Sequence, residues 1–422
     1  MKSGDDNNKE AKFYQDPLFH CIHNFDSCKD ENIIYIIQDE LHILLNSFLD
    51  PLELPNKFKI IYPFIDSLPE VVKKRLQALF LLLKKSSDKR GFNFNDSLRF
   101  LHKNYLFRLN PEIFAKILST LYCDLNANIH NINYRKKLKI VEFGKIKDEE
   151  YETTFLKPIL LLKSFSRKYL SKYLQNFILH GSLSTLDYVE GWSDVDTYAI
   201  IKRDTILDWR LLLKLRKLTF KNFRYFLLID PYQHHGTFFV TEIDTQFYPQ
   251  AYLPFIVLKN SKSFFDSEKI EFIERSEDIE RIFKLRETPE IFKKAYITNF
   301  HLKNYYLAKL YISYLLIFPT YYLEAKGIHV YKRDSFKLIK RELKEKEWNI
   351  IEIASKCRKL YTKKQLLQQF TSITINMQEN PFMSLFIHFL FKNDIQKEFA
   401  QILRSITKDV LLFSERMLRK LV

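Results

Sequence analysis

The sequence predicts an α+β fold in which a small mixed sheet with helices is flanked on both sides by mainly α-helical regions. The predicted regions are 14–150, 151–262 and 263–422: apolar residues recur at helical spacing over 14–130 and 265–422, whereas the middle region alternates short apolar strands with helices. The length of 422 residues suits two or three domains. Glycine occurs seven times, and three of these glycines fall between residues 181 and 236, which draws attention to the middle of the chain.

The N-terminal region is predicted to be helical. Residues 1–13 are polar and charged, without the apolar core of a signal peptide, and are predicted to form a disordered tail. Asn110 and Pro111 have the residue types of a helix cap and a first helical position. The polar, basic stretch 128–150 is interpreted as a connection between domains. The predicted helices of this region are 33–48, 68–83 and 111–122.

The central region is predicted to carry the sheet. Asp204 is expected to cap its Leu-rich helix. The predicted elements are a helix over 158–174, a strand over 177–180, a strand over 195–201, a helix over 205–222, a strand over 224–229 and a strand over 237–243. In the C-terminal region the predicted helices are 299–317, 335–353, 363–378 and 382–421, the last in two or more pieces.

Composition restricts the class of protein. Lys and Arg number 67 against 51 Asp and Glu, for a formal charge of +16, which attracts anions but also follows from an AT-rich coding bias. The four cysteines form no C-x-x-C pair, so free thiols in a reducing, cytoplasmic compartment are expected. The longest apolar run of the C-terminal half, 310–323, contains Pro319 and is too short for a membrane span.

Two aspartates carry the strongest chemical signal. Asp194 and Asp196 stand two residues apart at the start of a predicted strand, so their side chains face the same way. Two neighbouring carboxylates repel each other, and a shared divalent cation with oxygen ligands relieves that repulsion. Upstream, Gly181 and Ser182 end the preceding strand, where a glycine permits close approach of a phosphate and the following groups can donate to its oxygens.

This arrangement resembles the signature of the DNA polymerase β superfamily of nucleotidyltransferases. The signature is a hydrophobic residue, Gly and Gly or Ser, a spacer near ten residues, and Asp-x-Asp flanked by hydrophobic residues. Leu179 or His180, Gly181-Ser182, Ser193-Asp194-Val195-Asp196 and the apolar tail Tyr198-Ala199-Ile200 match it. The match covers about residues 155–250. A structural alternative is a turn glycine with two solvent-facing aspartates on an edge strand.

The resemblance implies a chemistry and a set of residues. The family transfers a nucleoside monophosphate from a triphosphate, here expected to be ATP, to an acceptor, with Mg²⁺ or Mn²⁺ as cofactor and release of pyrophosphate. Asp194 and Asp196 would hold the metal, with Asp230 as third catalytic and metal-binding carboxylate. Glu242, Asp244 or no third carboxylate are the alternatives.

Other residues are predicted to hold the nucleotide. They are Gly181, Ser182, Trp192, Ser193, Lys326 and Lys332. Trp192 would stack on a base or else fix its loop, and the two lysines would meet phosphates or else lie solvated at a helix end. Adjacent His234 and His235 form a local cluster but are expected to point apart, so that they do not easily share one metal, and a turn with satisfied imidazoles is the structural alternative.

The acceptor is open among a small molecule, a protein and RNA, and the oligomeric state is also open. No membrane partner is expected. The alternative function is a non-catalytic nucleotide- or RNA-binding interaction protein that keeps the fold.

Overall fold

A computed structural model describes residues 17–49, 70–104, 110–134, 136–230, 233, 235–266, 269–275, 280–360, 395 and 397–421. The predicted tail 1–13, the helix 363–378 and the first part of 382–421 lie outside these residues. Within them the chain has an α+β fold with helical flanks, as predicted. No helix in the described ranges is both long enough and apolar enough to cross a bilayer.

The described part of the N-terminal region contains five α-helices and two strands. The helices are α1 (Pro17–His23), α2 (Asp30–Leu49), α3 (Glu70–Arg90), α4 (Asn95–Asn104) and α5 (Pro111–Ile129), and the strands are β1 (Lys137–Glu142) and β2 (Gly144–Lys145). The Asn110 side chain accepts a hydrogen bond from the Ile113 amide, and Pro111 opens α5, which confirms the predicted cap.

The central and C-terminal regions follow. The central elements are α6 (Lys157–Phe165), β3 (Leu174–His180), α7 (Gly181–Thr185), β4 (Asp196–Ile201), α8 (Arg203–Leu207), α9 (Trp209–Ile229), β5 (Phe238–Thr241), α10 (Glu242–Thr245), α11 (Phe255–Lys259), β6 (Lys262–Ser263) and β7 (Lys269–Glu274). The C-terminal helices are α12 (Glu280–Thr298), α13 (Tyr305–Ala325), α14 (Lys332–Ile339), α15 (Glu345–Leu360) and α16 (Lys397–Arg419).

Among the described residues, five strands form the main sheet in the order β2-β6-β3-β4-β5. Strand β3 pairs antiparallel with β4 and β6, and β4 runs parallel to β5. Alternate side chains of these strands are buried on opposite faces, as the two-residue period of a strand requires. Phe177 and Ala199 join the core shared with the N-terminal helices, whereas Ile178 and Tyr198 join a second core on the other face.

The predicted strand at 224–229 is wrong, because these residues form the last turns of helix α9. The buried positions Leu212, Leu215, Thr219, Phe223 and Phe226 are three or four residues apart and continue one helical face through the segment. The strand prediction followed the local density of aromatic residues, which also suits the buried side of a helix. The helix cap is also displaced from the predicted residue.

The side chain of Asp208, and not that of Asp204, caps α9 by accepting a hydrogen bond from the Arg210 amide at 2.8 Å. Asp204 lies in the first turn of the short helix α8. A two-helix start, with α8 preceding α9, therefore replaces the single predicted helix.

The stretch 128–150 is more than a connection. Strand β1 pairs antiparallel with β7 in a separate two-stranded sheet, and β2 adds to the edge of the main sheet. Lys137 Nζ lies 3.3 Å from Glu274 Oε2 across this two-stranded sheet. The positive charge of Lys137 is therefore balanced by a neighbouring carboxylate. Residues on either side of the predicted boundary at 150 share one hydrophobic core.

Candidate metal and nucleotide site

The site begins where strand β3 turns into helix α7. His180, the last residue of β3, is paired with Asp196 on β4. The next residue, Gly181, has φ +69°, in the left-handed region that favours glycine. A Cβ at Gly181 would overlap Asp196 Oδ2 and lie 2.9 Å from its Cγ. The glycine is therefore needed for its conformation and for the approach of the Asp196 carboxylate.

Two serines tie helix α7 to the loop that precedes β4. The Ser182 hydroxyl donates to Ser193 Oγ at 3.0 Å, and Ser193 Oγ also accepts from the Val189 amide at 2.8 Å. Ser193 is only 5% exposed. The two serines predicted to contact nucleotide are thus hydrogen-bonded to each other. This bond fixes Ser193, which immediately precedes Asp194, against helix α7.

Asp194 and Asp196 converge on an imidazole. His235 Nε2 lies 3.3 Å from Asp194 Oδ2 and 3.2 Å from Asp196 Oδ1. One ligating atom from each of the three residues falls within 4.8 Å of the others, and all three side chains are partly exposed. The predicted same-face orientation of the two aspartates is present, because both reach the same ring.

Gln233 fixes His235 relative to the aspartates. Its side-chain carbonyl accepts from the Val195 amide and its amide donates to the Val195 carbonyl, both at 3.0 Å. The same amide donates to the His235 carbonyl at 2.7 Å. With 2% exposure, Gln233 works as a buried clamp between the Asp-x-Asp segment and the chain that carries the histidine.

The electrostatics of the cluster are dominated by the close contact of the imidazole with two carboxylates. Burial opposes protonation of His235, but hydrogen bonds to Asp194 and Asp196, together with their charges, raise its pKa well above the ordinary value. His235 thus balances charge between carboxylates that would otherwise repel each other.

Asp230, the predicted third carboxylate, is placed differently from expectation. It follows helix α9 as its C-terminal cap residue and does not end a strand beside β4. Its carboxylate forms an ion pair with Lys309 of α13, and both side chains are almost fully buried. In the part of the chain that the structure describes, the group of potential metal ligands comprises Asp194, Asp196 and His235, without Asp230.

Glu242 and Asp244, the alternatives for that role, belong to helix α10 and not to a strand. Glu242 Oε2 accepts a hydrogen bond from the Arg203 amide at 2.6 Å. Asp244 completes a capping box with Thr241 and accepts from the Gln38 side chain at 2.8 Å. Both carboxylates therefore have structural contacts away from the cluster.

Lys309 links the cluster to the C-terminal helices. Burial disfavours its charged form, but the negative charges of Asp230, Asp194 and Asp196 outweigh this and raise its pKa. Its Nζ also lies 5.7 Å from the centre of the Trp192 ring. Trp192 is 8% exposed and packs in the core of the C-terminal region, which favours the interpretation that it fixes its loop.

The two predicted phosphate-binding lysines have different surroundings. Lys332 begins helix α14 and lies within electrostatic range of Asp194 and Asp196. Lys326 instead pairs with Glu342 at 2.6 Å. The segment of Lys332 is held against helix α7, since the Tyr331 hydroxyl lies 3.3 Å from Thr185 Oγ1.

His235 is the site residue that the local sequence does not single out. Adjacent histidines also suit a turn, and it is the parallel pairing of β4 with β5 that brings His235 beside the two aspartates. The local sequence feature that accompanies His235 is its position just before strand β5, close to one of the few glycines.

Comparison with known proteins found no matching protein family, curated protein or solved structure.

Proposed function

We propose that this protein is a divalent-metal-dependent nucleotidyltransferase that transfers a nucleoside monophosphate, with ATP as the expected donor, to an acceptor and releases pyrophosphate. The observation that carries the proposal is the juxtaposition of Gly181 with Asp196. A left-handed glycine at the end of one strand abuts a carboxylate of an Asp-x-Asp pair on the next. The glycine and the Asp-x-Asp pair that carry the resemblance in sequence are therefore also adjacent in space.

The donor set suits a divalent ion. Asp194 and Asp196 supply carboxylate oxygens and His235 supplies an imidazole nitrogen, all from partly exposed side chains. A bound ion would supply charge neutralisation for the transferred phosphate. The chain would position that phosphate between the ion and the turn at Gly181.

The C-terminal helices supply positive charge to the same place. Lys332 lies within electrostatic range of Asp194 and Asp196 and would meet the phosphates of a bound triphosphate. The buried Lys309, paired with Asp230, adds a second positive charge near the aspartates. Serines 182 and 193 hold the intervening loop in place. We assign a triphosphate-binding role to the region where helix α7, the Asp-x-Asp segment and the start of α14 meet.

A second candidate function is nucleotide binding without transfer. The observation that favours it is that, among the described residues, no third carboxylate joins Asp194 and Asp196. An acceptor hydroxyl then has, among the described residues, no carboxylate of this cluster beyond the two metal-binding ones to take its proton. Binding without transfer would support this second candidate.

Labelled nucleotides test the proposal and identify the acceptor. The full chain is incubated with a divalent ion, cell extract and ATP labelled on either the α- or the γ-phosphate, then in turn with the other triphosphates. Transfer of the α-label to an acceptor is expected. Transfer of only the γ-label would indicate a kinase, and the absence of any transfer despite nucleotide binding would favour the second candidate.

A further inference from the structure

The third potential metal ligand of the candidate site is an imidazole and not a carboxylate. We propose that His235 is a direct metal ligand through Nε2, so that the site prefers a first-row transition ion such as Mn²⁺ over Mg²⁺. This inference rests on the metal-binding part of the proposed function and specifies which ion that function uses.

Geometry makes Nε2 the ligating atom. This nitrogen faces both carboxylates at 3.2 and 3.3 Å, which are hydrogen-bonding distances across a space that an ion can bridge after small side-chain rotations. The other ring nitrogen, Nδ1, lies 3.2 Å from the carbonyl of Gly236. A proton on Nδ1 donated to that carbonyl leaves the Nε2 lone pair directed at the cluster, as in many metal-bound histidines.

The ring is held in this orientation by groups outside the cluster. Gln233 bonds the main chain of Val195 on one side and the carbonyl of His235 on the other. Both segments are therefore tied to the same buried side chain. Ligands whose relative position is set by a buried amide lose little freedom when an ion binds.

The carboxylates that would otherwise complete an all-oxygen site are used elsewhere. Asp230 is buried against Lys309, Asp244 caps helix α10, and Glu242 binds the Arg203 amide. Recruiting any of them would break a structural contact. Among the described residues, His235 is therefore the side chain available as third ligand.

The ligand set determines ion preference. Mg²⁺ binds oxygen ligands in a strict octahedron and gains little from an imidazole, whereas first-row transition ions accept one readily. Mn²⁺ shares the carboxylate preference of Mg²⁺ and, as a first-row transition ion, also accepts an imidazole, so it is the probe ion for this ligand set. The expected order is Mn²⁺ well above Mg²⁺.

Electron spin echo envelope modulation of Mn²⁺ bound to the full chain, without nucleotide, tests this directly. A ¹⁴N coupling to the ion is expected in the wild-type protein and is lost in His235→Ala. It persists in His102→Ala, a matched control at an exposed histidine of helix α4. Bound Mn²⁺ without nitrogen coupling, or no Mn²⁺ binding at all, would overturn the inference.

Affinity provides the second readout. In calorimetric titrations we expect Mn²⁺ to bind about tenfold or more tightly than Mg²⁺, and His235→Asp to reduce this preference severalfold. An unchanged preference in His235→Asp, in a variant whose thermal unfolding matches wild type, contradicts the assignment. These measurements need no triphosphate, so nitrogen coupling without nucleotidyl transfer would refute only the proposed function. Transfer without nitrogen coupling would refute only this inference.

Discussion

Gly181 combines two requirements at a single residue. Its positive φ is costly for any L-residue with a side chain, and the space that a Cβ would enter is filled by the Asp196 carboxylate. Gly191, in the loop that leads to Asp194, has a similar φ of +82° but nothing within 4 Å of its Cβ position. Comparing substitutions at these two glycines therefore distinguishes the cost of a positive φ from the cost of displacing the Asp196 carboxylate.

We predict that Gly181→Ala lowers the free energy of unfolding more than Gly191→Ala does. Backbone strain of about 1–3 kcal/mol is common to both variants, and Gly181→Ala adds the displacement of Asp196. Urea unfolding measures the stability difference, and Mn²⁺ titration shows whether the metal site is distorted in Gly181→Ala alone. Equal losses of stability and equal metal affinity would mean that Gly181 serves only as a turn residue.

The residue scale also shows what a sequence can reveal about this site. Asp194, Asp196 and Gly181 were identified because their spacing along the chain already encodes proximity in a strand–turn–strand unit. His235 was not, because its place depends on β5 lying parallel to β4 and on Gln233 binding the Val195 main chain. Neither contact produces a recognisable pattern in the neighbouring sequence.

At the scale of elements, helix α10 carries an unusual buried carboxyl group. Asp244 accepts from the Thr241 amide and hydroxyl and from Gln38, yet burial raises its pKa to about 6. The folded protein therefore holds a proton on Asp244 at pH values where the unfolded chain, with a pKa near 3.8, has released it.

We predict that this group destabilises the fold as pH rises. From about pH 4 to 6 the folded state binds more protons at Asp244 than the unfolded state does, so its contribution falls by about 3 kcal/mol and is constant above pH 6. Urea unfolding of wild type and Asp244→Asn at a series of pH values isolates this term as their difference. A difference that does not vary between pH 4 and 6 would contradict the assigned pKa direction.

The Lys309–Asp230 pair joins helix α13 to the end of helix α9. Because both groups are buried, removing one partner leaves an uncompensated charge. We predict that Lys309→Met destabilises the protein by about 3–5 kcal/mol, and that the double variant with Asp230→Asn recovers part of this loss.

Chemical unfolding of the two single variants and the double variant measures that coupling. Lys326→Met is the control, since it removes a lysine from a partly exposed pair with Glu342. Additive losses in the double variant would show that the buried pair does not stabilise the junction. They would also reopen the assignment of Asp230 to the cluster.

The elements differ in how far local sequence determined them. Helices α2, α5 and α13 have long apolar stripes, and their presence was predicted. The last turns of α9 were mistaken for a strand because Phe and Tyr suit both structures over six residues. The strands β1 and β2 were missed because long-range pairing, and not an apolar run, defines them.

At the scale of the whole molecule, the charge surplus of +16 bears on association with anions. We predict that the association rate of ATP falls as ionic strength rises from about 20 to 300 mM, because the Debye length shortens over this range. Stopped-flow measurements with a fluorescent ATP analogue give the rate. A salt-independent rate would assign the lysine content to coding bias and not to steering.

The candidate site lies where the central sheet meets the C-terminal helices. The N-terminal helices and one face of the sheet share a core, whereas Trp192 extends the C-terminal core to the loop before Asp194. Lys309 and Lys332 reach the same loop region from two C-terminal helices. The C-terminal region thus completes the charge environment of the Asp-x-Asp pair.

Substitution of Asp194 tests the central claim most directly. Wild type, Asp194→Asn and the control Asp204→Asn, an exposed aspartate of helix α8, are compared for pyrophosphate release from ATP in the same extract with the same ion. We predict release by wild type and Asp204→Asn, and loss of release in Asp194→Asn with a cooperative thermal transition retained, because the amide keeps the size of the carboxyl group and its oxygen can still contact His235. Equal pyrophosphate release by Asp194→Asn and wild type would contradict the account.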